Sequence, residues 1–282
     1  MSQEFSVDAL IPQEMAEKAE AIGVRKAALT FWPLFTLSVL AGAFIALGAM
    51  FSTTTAAGSS VLPYGVARLL IGLTFCVGLI LVVVAGAELF TGNNLIVMAW
   101  ASHKVSTLAL LRNLVIVYIG NFVGSLGTAV LVFLGKQYTF GSGSVGESAL
   151  KIATSKLHYG FIQAVALGIL CNGLVCLAVW LTFSARSTAD KILAIIFPIT
   201  AFVAASFEHS VANMYFVPYA LFIKAFDPAF VSGLADKAPD LSSLTWGAFF
   251  LKNLLPVTLG NIVGGTILVG AVYWLVYLRG KA

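Results

Sequence analysis

The chain has 282 residues, 60% of them hydrophobic and only 10% charged, with a mean hydropathy of +0.98. A soluble domain carries about 45–50% apolar and about 25% charged residues, so a soluble enzyme and a disordered chain are excluded and an all-helical polytopic membrane protein is expected. Sixteen Lys and Arg against twelve Asp and Glu leave a formal charge of +4, but the cations are scattered without a basic run, which excludes a nucleic-acid binder.

Residues 1–25 carry Glu4, Asp8, Glu14, Glu17 and Glu20, a pattern unlike a secretory signal. Within them Pro12 to Glu20 reads as a polar helix, with proline in its first turn and early acids that suit the helix dipole. It is either a solvated tail helix or one lying on the membrane or over a pore mouth. Six apolar stretches follow: 28–51, 64–90, 107–135, 157–183, 189–206 with a continuation to about 223, and 247–278. Each approaches the roughly 20 residues needed to cross a bilayer. The second and fifth are interrupted at membrane depth, by Glu88-Leu89-Phe90-Thr91-Gly92-Asn93-Asn94 and by Glu208-His209-Ser210-Val211-Ala212-Asn213. The expected organisation is an N-terminal helical segment over 1–27, one transmembrane domain over 28–278, and a short tail over 279–282. With six spans both termini share a side, and nine of the sixteen Lys and Arg fall there, a slight preference for cytoplasmic termini.

The halves repeat one another. Residues 112–124, RNLVIVYIGNFVG, and 252–264, KNLLPVTLGNIVG, are identical at seven of thirteen positions. Glu88 and Asn93 match Glu208 and Asn213 at an offset of 120. Lys26, Phe31, Leu37, Leu40 and Leu47 match Lys156, Phe161, Leu167, Leu170 and Leu177 at an offset of 130. The repeat units cover about 26–136 and 156–278. A unit of three spans is odd, so the second copy is expected to enter from the opposite side, an inverted 3+3 arrangement. The two breaks then approach the midplane from opposite faces. Their freed backbone groups must meet protein or a water-filled path, and the positive ends of the half-helices beginning near Asn93 and Asn213 favour an anion.

His209 is the leading candidate for chemistry, because an ionisable residue inside a membrane is expensive and marks function by default. Its ordinary pKa of about 6.5 suits proton exchange near neutral pH. Glu88 and Glu208 either accept hydrogen bonds from freed backbone N–H groups or pair with a lysine. Thr91 either bonds His209 across the axis or caps its half-helix. Lys156 either draws anions to a pore mouth or is an interfacial lysine whose ammonium reaches for water. Asn172 and Asn261 lie well inside spans, where amides commonly bond a neighbouring helix, and Asn121 is the repeat mate of Asn261. Phe75, Leu79, Leu89, Phe90, Val175 and Phe202 flank the breaks as apolar constrictions or as ordinary packing. Gly120-x-x-x-Gly124 and Gly260-x-x-x-Gly264 provide small faces for close packing, within or between subunits. Cys76, Cys171 and Cys176 read as small core residues, and neither metal nor cofactor is expected.

The motifs Ala87-Glu88-Leu89-Phe90-Thr91-Gly92-Asn93, Phe207 to Met214 and Asn253 to Asn261, with six spans and two broken helices, resemble those of the formate/nitrite transporter family, and among its members the bacterial formate channels. The likeness runs from about residue 5 to 280. It implies an aquaporin-like fold, a homopentamer with a pore in each subunit, and the bacterial inner membrane. It implies His209 at the centre of the pathway, supported by Thr91, Glu208 and Asn213, with Lys156 at a vestibule and Asn172 and Asn261 lining the pore. It implies an outer constriction of Phe75, Leu79 and Phe202 and an inner one of Leu89, Phe90 and Val175, gated with pH by the second-span loop and the N-terminal helix. The function expected is pH-dependent passage of formate and related small monovalent anions, with the histidine as proton donor or relay. Nitrite or another weak-acid anion is the near alternative. A water or glycerol channel is disfavoured by the lack of Asn-Pro-Ala boxes, and a membrane enzyme by the single in-membrane histidine.

Overall fold

The computed structural model describes residues 9–281, and all its regular elements are helical. Residues 1–8, including Glu4 and Asp8, and Ala282 lie outside the described residues. Helix α1, Pro12–Ala27, has proline in its first turn and Arg25 and Lys26 in its last. Glu14 Oε2 accepts the Ile11 N–H at 3.0 Å. These features offset the dipole and bind an otherwise orphaned terminal donor.

The next helices are α2 (Phe31–Ala56) and α3 (Tyr64–Val84). After the non-helical residues 85–89 come α4 (Phe90–Asn93) and, through a tighter 3-10 turn at Asn94–Ile96, α5 (Val97–Ala101). Helix α6, Thr107–Leu134, opens on Ser106, whose side chain accepts the Ala109 N–H. Helix α7, Ser144–Leu157, lies in what the sequence suggested was a connection, because its apolar residues fall on one face only and give no span signal. Helices α8 (Phe161–Ser184) and α9 (Thr188–Ala204) follow, then the non-helical residues 205–209 and α10 (Ser210–Phe226). A short α11, Pro228–Gly233, precedes α12, Trp246–Tyr277, which widens to π geometry over Phe249–Leu254 and Val263–Ala271.

Five helices, α2, α3, α6, α8 and α12, are long and apolar enough to cross a membrane. The fifth expected stretch is divided between α9 and α10, each of 17 residues, and neither alone reaches the roughly 20 residues of a full crossing.

Glycines set the closest approaches. A Cβ on Gly124 would strike the Val39 carbonyl, and one on Gly264 the Ile169 carbonyl. The two small-residue faces therefore pack α6 on α2 and α12 on α8 inside one chain. The non-helical connections are alike as well. Gly86 and Ser206, 120 positions apart, both adopt positive φ (81° and 59°). The Glu88 N–H donates to the Leu37 carbonyl at 3.2 Å, and the Glu208 N–H to the Leu167 carbonyl at 3.3 Å. Each connection is thereby tied to the first long helix of its own half.

Candidate functional site

The two connections meet at one pair of side chains. His209 caps α10, and its Nδ1 accepts the Ala212 N–H at 3.0 Å. A nitrogen that accepts carries no hydrogen, so the neutral ring holds its proton on Nε2. Nε2 lies 3.0 Å from Thr91 Oγ1, which accepts that N–H. The pair is enclosed, with His209 3% exposed and Thr91 0%. The Phe202 ring stacks beside the imidazole at 5.9 Å between centroids. Thr91 lines none of the cavities that run past the imidazole, so a space beside the pair is faced by His209 rather than by the hydroxyl.

On either side lies an ion-paired cluster of one design. Lys26 Nζ donates to Glu88 Oε1 at 2.8 Å and to Asn93 Oδ1 at 2.9 Å. Asn93 Nδ2 donates to Glu88 Oε2 at 2.7 Å and to Asn113 Oδ1 at 2.9 Å, and Asn113 Nδ2 donates to the Lys26 carbonyl at 3.0 Å. In the second cluster Lys156 Nζ donates to Glu208 Oε1 at 2.8 Å. Asn213 Nδ2 donates to Glu208 Oε2 at 2.7 Å and to Asn253 Oδ1 at 2.8 Å, and Asn253 Nδ2 donates to the Lys156 carbonyl at 3.0 Å. Of the alternatives open for the two glutamates, the structure has the lysine pairing. The freed backbone is bound by Asn121 and Asn261 instead. Asn121 accepts the Phe90 N–H and donates to the Ser38 and Glu88 carbonyls. Asn261 accepts the Ser210 N–H and donates to the Gly168 and Glu208 carbonyls. One buried amide thus satisfies an N–H and a carbonyl at each break, groups that hydrocarbon would leave unpaired at several kcal/mol each, and ties them to a carbonyl of the adjoining long helix.

Three cavities run in series past the central pair. The largest, about 440 Å³, is covered by α1 and lined by Arg25, Lys26, Leu79, Glu88 and Leu89 among others. Leu79 and Leu89 also line a minute space of about 10 Å³ that includes Val175 and His209. Phe75, Phe202 and His209 border that space and also a third cavity of about 110 Å³, which holds Arg68, Lys156 and Glu208. Phe75 and Phe202 meet edge to face with centroids 5.6 Å apart. The central space is too small for a carboxylate at rest, with Leu79 and Leu89 between it and the α1-side cavity and Phe75 and Phe202 between it and the Lys156-side cavity.

Most of the site residues expected from sequence converge here. Leu79 stands with Leu89 on the α1 side of the central space. Val175 lines that space, whereas Phe90 lines none of the three cavities and packs edge-on against Tyr118. Lys156 turns inward onto Glu208 and over the Phe216 ring, 5.3 Å from its centroid. Asn172 donates to the Asn261 carbonyl at 2.6 Å and to the Thr91 carbonyl at 3.3 Å, which holds the Thr91 backbone from α8. Asn172, Asn213 and Asn261 are fully buried and line none of the three cavities. Asn113, Asn253 and the pairing role of Lys26 escaped the sequence reading. Their signal was present, since Asn113 and Asn253 are identical positions in the repeat and Lys26 is the mate of Lys156. Arg68 had no such signal.

Residues 13–275 match the family model described as formate/nitrite transporter. The chain is 43% identical over 280 residues to the formate channel FocA of Escherichia coli (strain K12), covering 99% of this chain and 98% of that protein. It is 37% identical to a probable formate transporter of Methanothermobacter thermautotrophicus, covering 95% and 97%. A solved structure described as a pentameric formate channel with formate bound superposes with a TM-score of 0.83 at 46% identity, covering 88% of this chain and 98% of that one.

Proposed function

The chain belongs to the formate/nitrite transporter family, and on that premise we propose that it is a formate channel with one pathway through each subunit. We place it in a bacterial inner membrane as six crossings in an inverted 3+3, aquaporin-like arrangement, with the second and fifth crossings broken, α1 on the cytoplasmic side and five subunits together. The recurrence of the Lys–Glu–Asn–Asn cluster on both sides of the central pair supports the inverted arrangement. The domain limits follow the same reading, with 1–27 as a cytoplasmic N-terminal segment and 28–278 as the channel.

The observation that carries the transport reading is the series of cavities with His209, held by Thr91, between two apolar constrictions. A carboxylate would shed its water to pass them, a costly transfer while it is charged and a much cheaper one as the neutral acid. His209 is the polar side chain that lines the central space, and its Nε2–H donates to Thr91. A neutral imidazole has only that one N–H and cannot surrender it without replacement. Net transfer of a proton to formate therefore needs a second proton at the ring, which links the step to the pH of the compartments. Nitrite, another weak-acid anion, fits the same requirement.

The test is radiolabelled formate flux into proteoliposomes across pH, for wild type, His209→Asn and His209→Phe. The asparagine variant keeps a polar group and is expected to pass anions without the normal pH dependence, and the phenylalanine variant to impede them. Identical flux and pH profiles for all three would make His209 structural and end the relay mechanism.

A further inference from the structure

The cavity on the Lys156 side is lined by three formally charged residues, Arg68, Lys156 and Glu208. Lys156 and Glu208 neutralise each other at 2.8 Å, with the carboxylate side chain 1% exposed. To an anion a few ångströms away this pair is a dipole, whose field falls off faster than that of a single charge. Arg68 is placed differently. Its Nε donates to the Ala204 carbonyl at 3.0 Å, and its Nη2 to the Val203 carbonyl and to Ser206 Oγ. All three acceptors are neutral, so the guanidinium keeps its full charge. Among the described residues Nη1 has no hydrogen-bond partner, and the residue is only half-buried beside the cavity. The bonds from Nε and Nη2 fix the plane of the group. They also hold the end of α9 and the positive-φ Ser206 three residues before His209. The position 120 residues further on is Thr188, so the repeat supplies no such cation at the α1-side break.

We propose that Arg68 is the anion-capture residue of this mouth, binding a small carboxylate through Nη1 before it meets Phe75 and Phe202, and that the paired Lys156 contributes little net attraction. The proposal deepens the transport reading and rests on it for the identity of the anion. A single vestibule charge raises local anion concentration and is screened by salt.

The experiment pairs Arg68→Gln with Arg68→Lys in the full-length oligomer and makes two measurements. One is the formate dependence of initial flux in proteoliposomes at low and high ionic strength. The other is line broadening of 13C-formate by the purified protein in detergent, which reads occupancy without transport. Arg68→Gln is expected to raise the half-saturating formate concentration roughly 3- to 10-fold at low salt, narrowing to under about 2-fold near 1 M salt. Arg68→Lys, which keeps the charge but not the planar fork, should stay within about 2-fold of wild type. Size-exclusion profiles of both variants exclude a folding effect. The proposal is overturned if Arg68→Gln matches wild type in both measurements, or if both variants lose flux equally at every salt concentration, which would leave Arg68 as a clamp on α9 alone. Arg68-dependent broadening in a wild type that carries no formate would sink the transport reading and leave the site standing. Absence of both signals would sink both.

Discussion

His209 and Thr91 stand where the two halves differ. At the offset of 120 that aligns the glutamates and asparagines, Leu89 is the mate of His209 and Val211 the mate of Thr91. The duplicated residues build the scaffold, and the unpaired polar ones face each other across the centre. A pair so enclosed depends on both members. Thr91→Val keeps the shape and removes the acceptor of the Nε2–H, leaving a buried donor unsatisfied at about 1–3 kcal/mol. If that cost falls on the barrier, formate flux should drop by roughly 5- to 160-fold. Thr91→Ser keeps the hydroxyl and should stay near wild type. Equal flux for the valine and serine variants in one vesicle preparation would remove Thr91 from the pathway.

At the level of the helix, an interruption at membrane depth is tolerable only because each one brings its own binding partner. Asn261→Leu would orphan the Ser210 N–H and the Glu208 carbonyl together and cut their tie to the Gly168 carbonyl of α8. At about 1–3 kcal/mol for each unsatisfied group, the variant should be recovered as little or no stable oligomer. Asn261→Gln should not rescue it, since one extra methylene shifts the amide away from three fixed partners. Thermal unfolding in detergent checks this, and a midpoint equal to wild type would contradict it. A second device lies outside the spans, between the end of α10 and the loop before α7. Asp227 accepts Tyr138 Oη–H at 2.7 Å and the Phe230 N–H at 3.0 Å. These bonds, the Tyr138 one first, hold its carboxyl below the ordinary 3.8. The unfolded chain, with the higher value, takes up the proton first. The stability from these bonds is therefore complete above about 3.8 and is lost as pH falls through the lower folded value. Asp227→Asn has no such titration, so the difference between the melting temperatures of wild type and variant should shrink as the medium is acidified below pH 4. A constant difference would show that this carboxylate does not contribute.

Across the whole molecule, α1 closes the 440 Å³ cavity and is tied to helices distant in sequence. Gln13 Nε2 donates to the Tyr277 carbonyl at 2.8 Å, Lys18 Nζ to the Phe183 carbonyl at 2.6 Å, and Lys104 pairs with Glu20. The first two bonds use carbonyls at the ends of α12 and α8 that have no partner within their own helices. They place cation and amide donors at negative dipole ends. The outer faces of α2, α3, α6 and α12 remain apolar, with Trp32, Tyr64, Leu108 and Leu251 broadly exposed. Lipid covers such surfaces, and so do sister subunits. The pentamer proposed here predicts a detergent-corrected mass near five times 29.7 kDa, measured by light scattering. A mass matching one chain would refute it.

Composition determined that this chain lives in lipid, because no soluble core needs so much apolar and so little charged sequence. The seven identities between 112–124 and 252–264 made the internal repeat legible, and the polar residues at 88–94 and 208–213 marked the centre, since such residues are tolerated in a membrane only with partners. The partners themselves were decided by tertiary structure. Glu88 was open between backbone N–H groups and a lysine, and became an ion pair only when α1 brought Lys26 to within 2.8 Å of it. The glycine faces were open between contacts inside and outside the subunit, and the carbonyls of Val39 and Ile169 settled them within it. Arg68 was silent in the sequence because a lone arginine near a span end reads like any interfacial cation. Only the folded end of α9, with the Val203 and Ala204 carbonyls turned toward it, gives that guanidinium a fixed plane and a cavity to face. Hydrophobic burial is written in composition and period, whereas hydrogen bonds and ion pairs depend on which groups distant in sequence arrive within three ångströms.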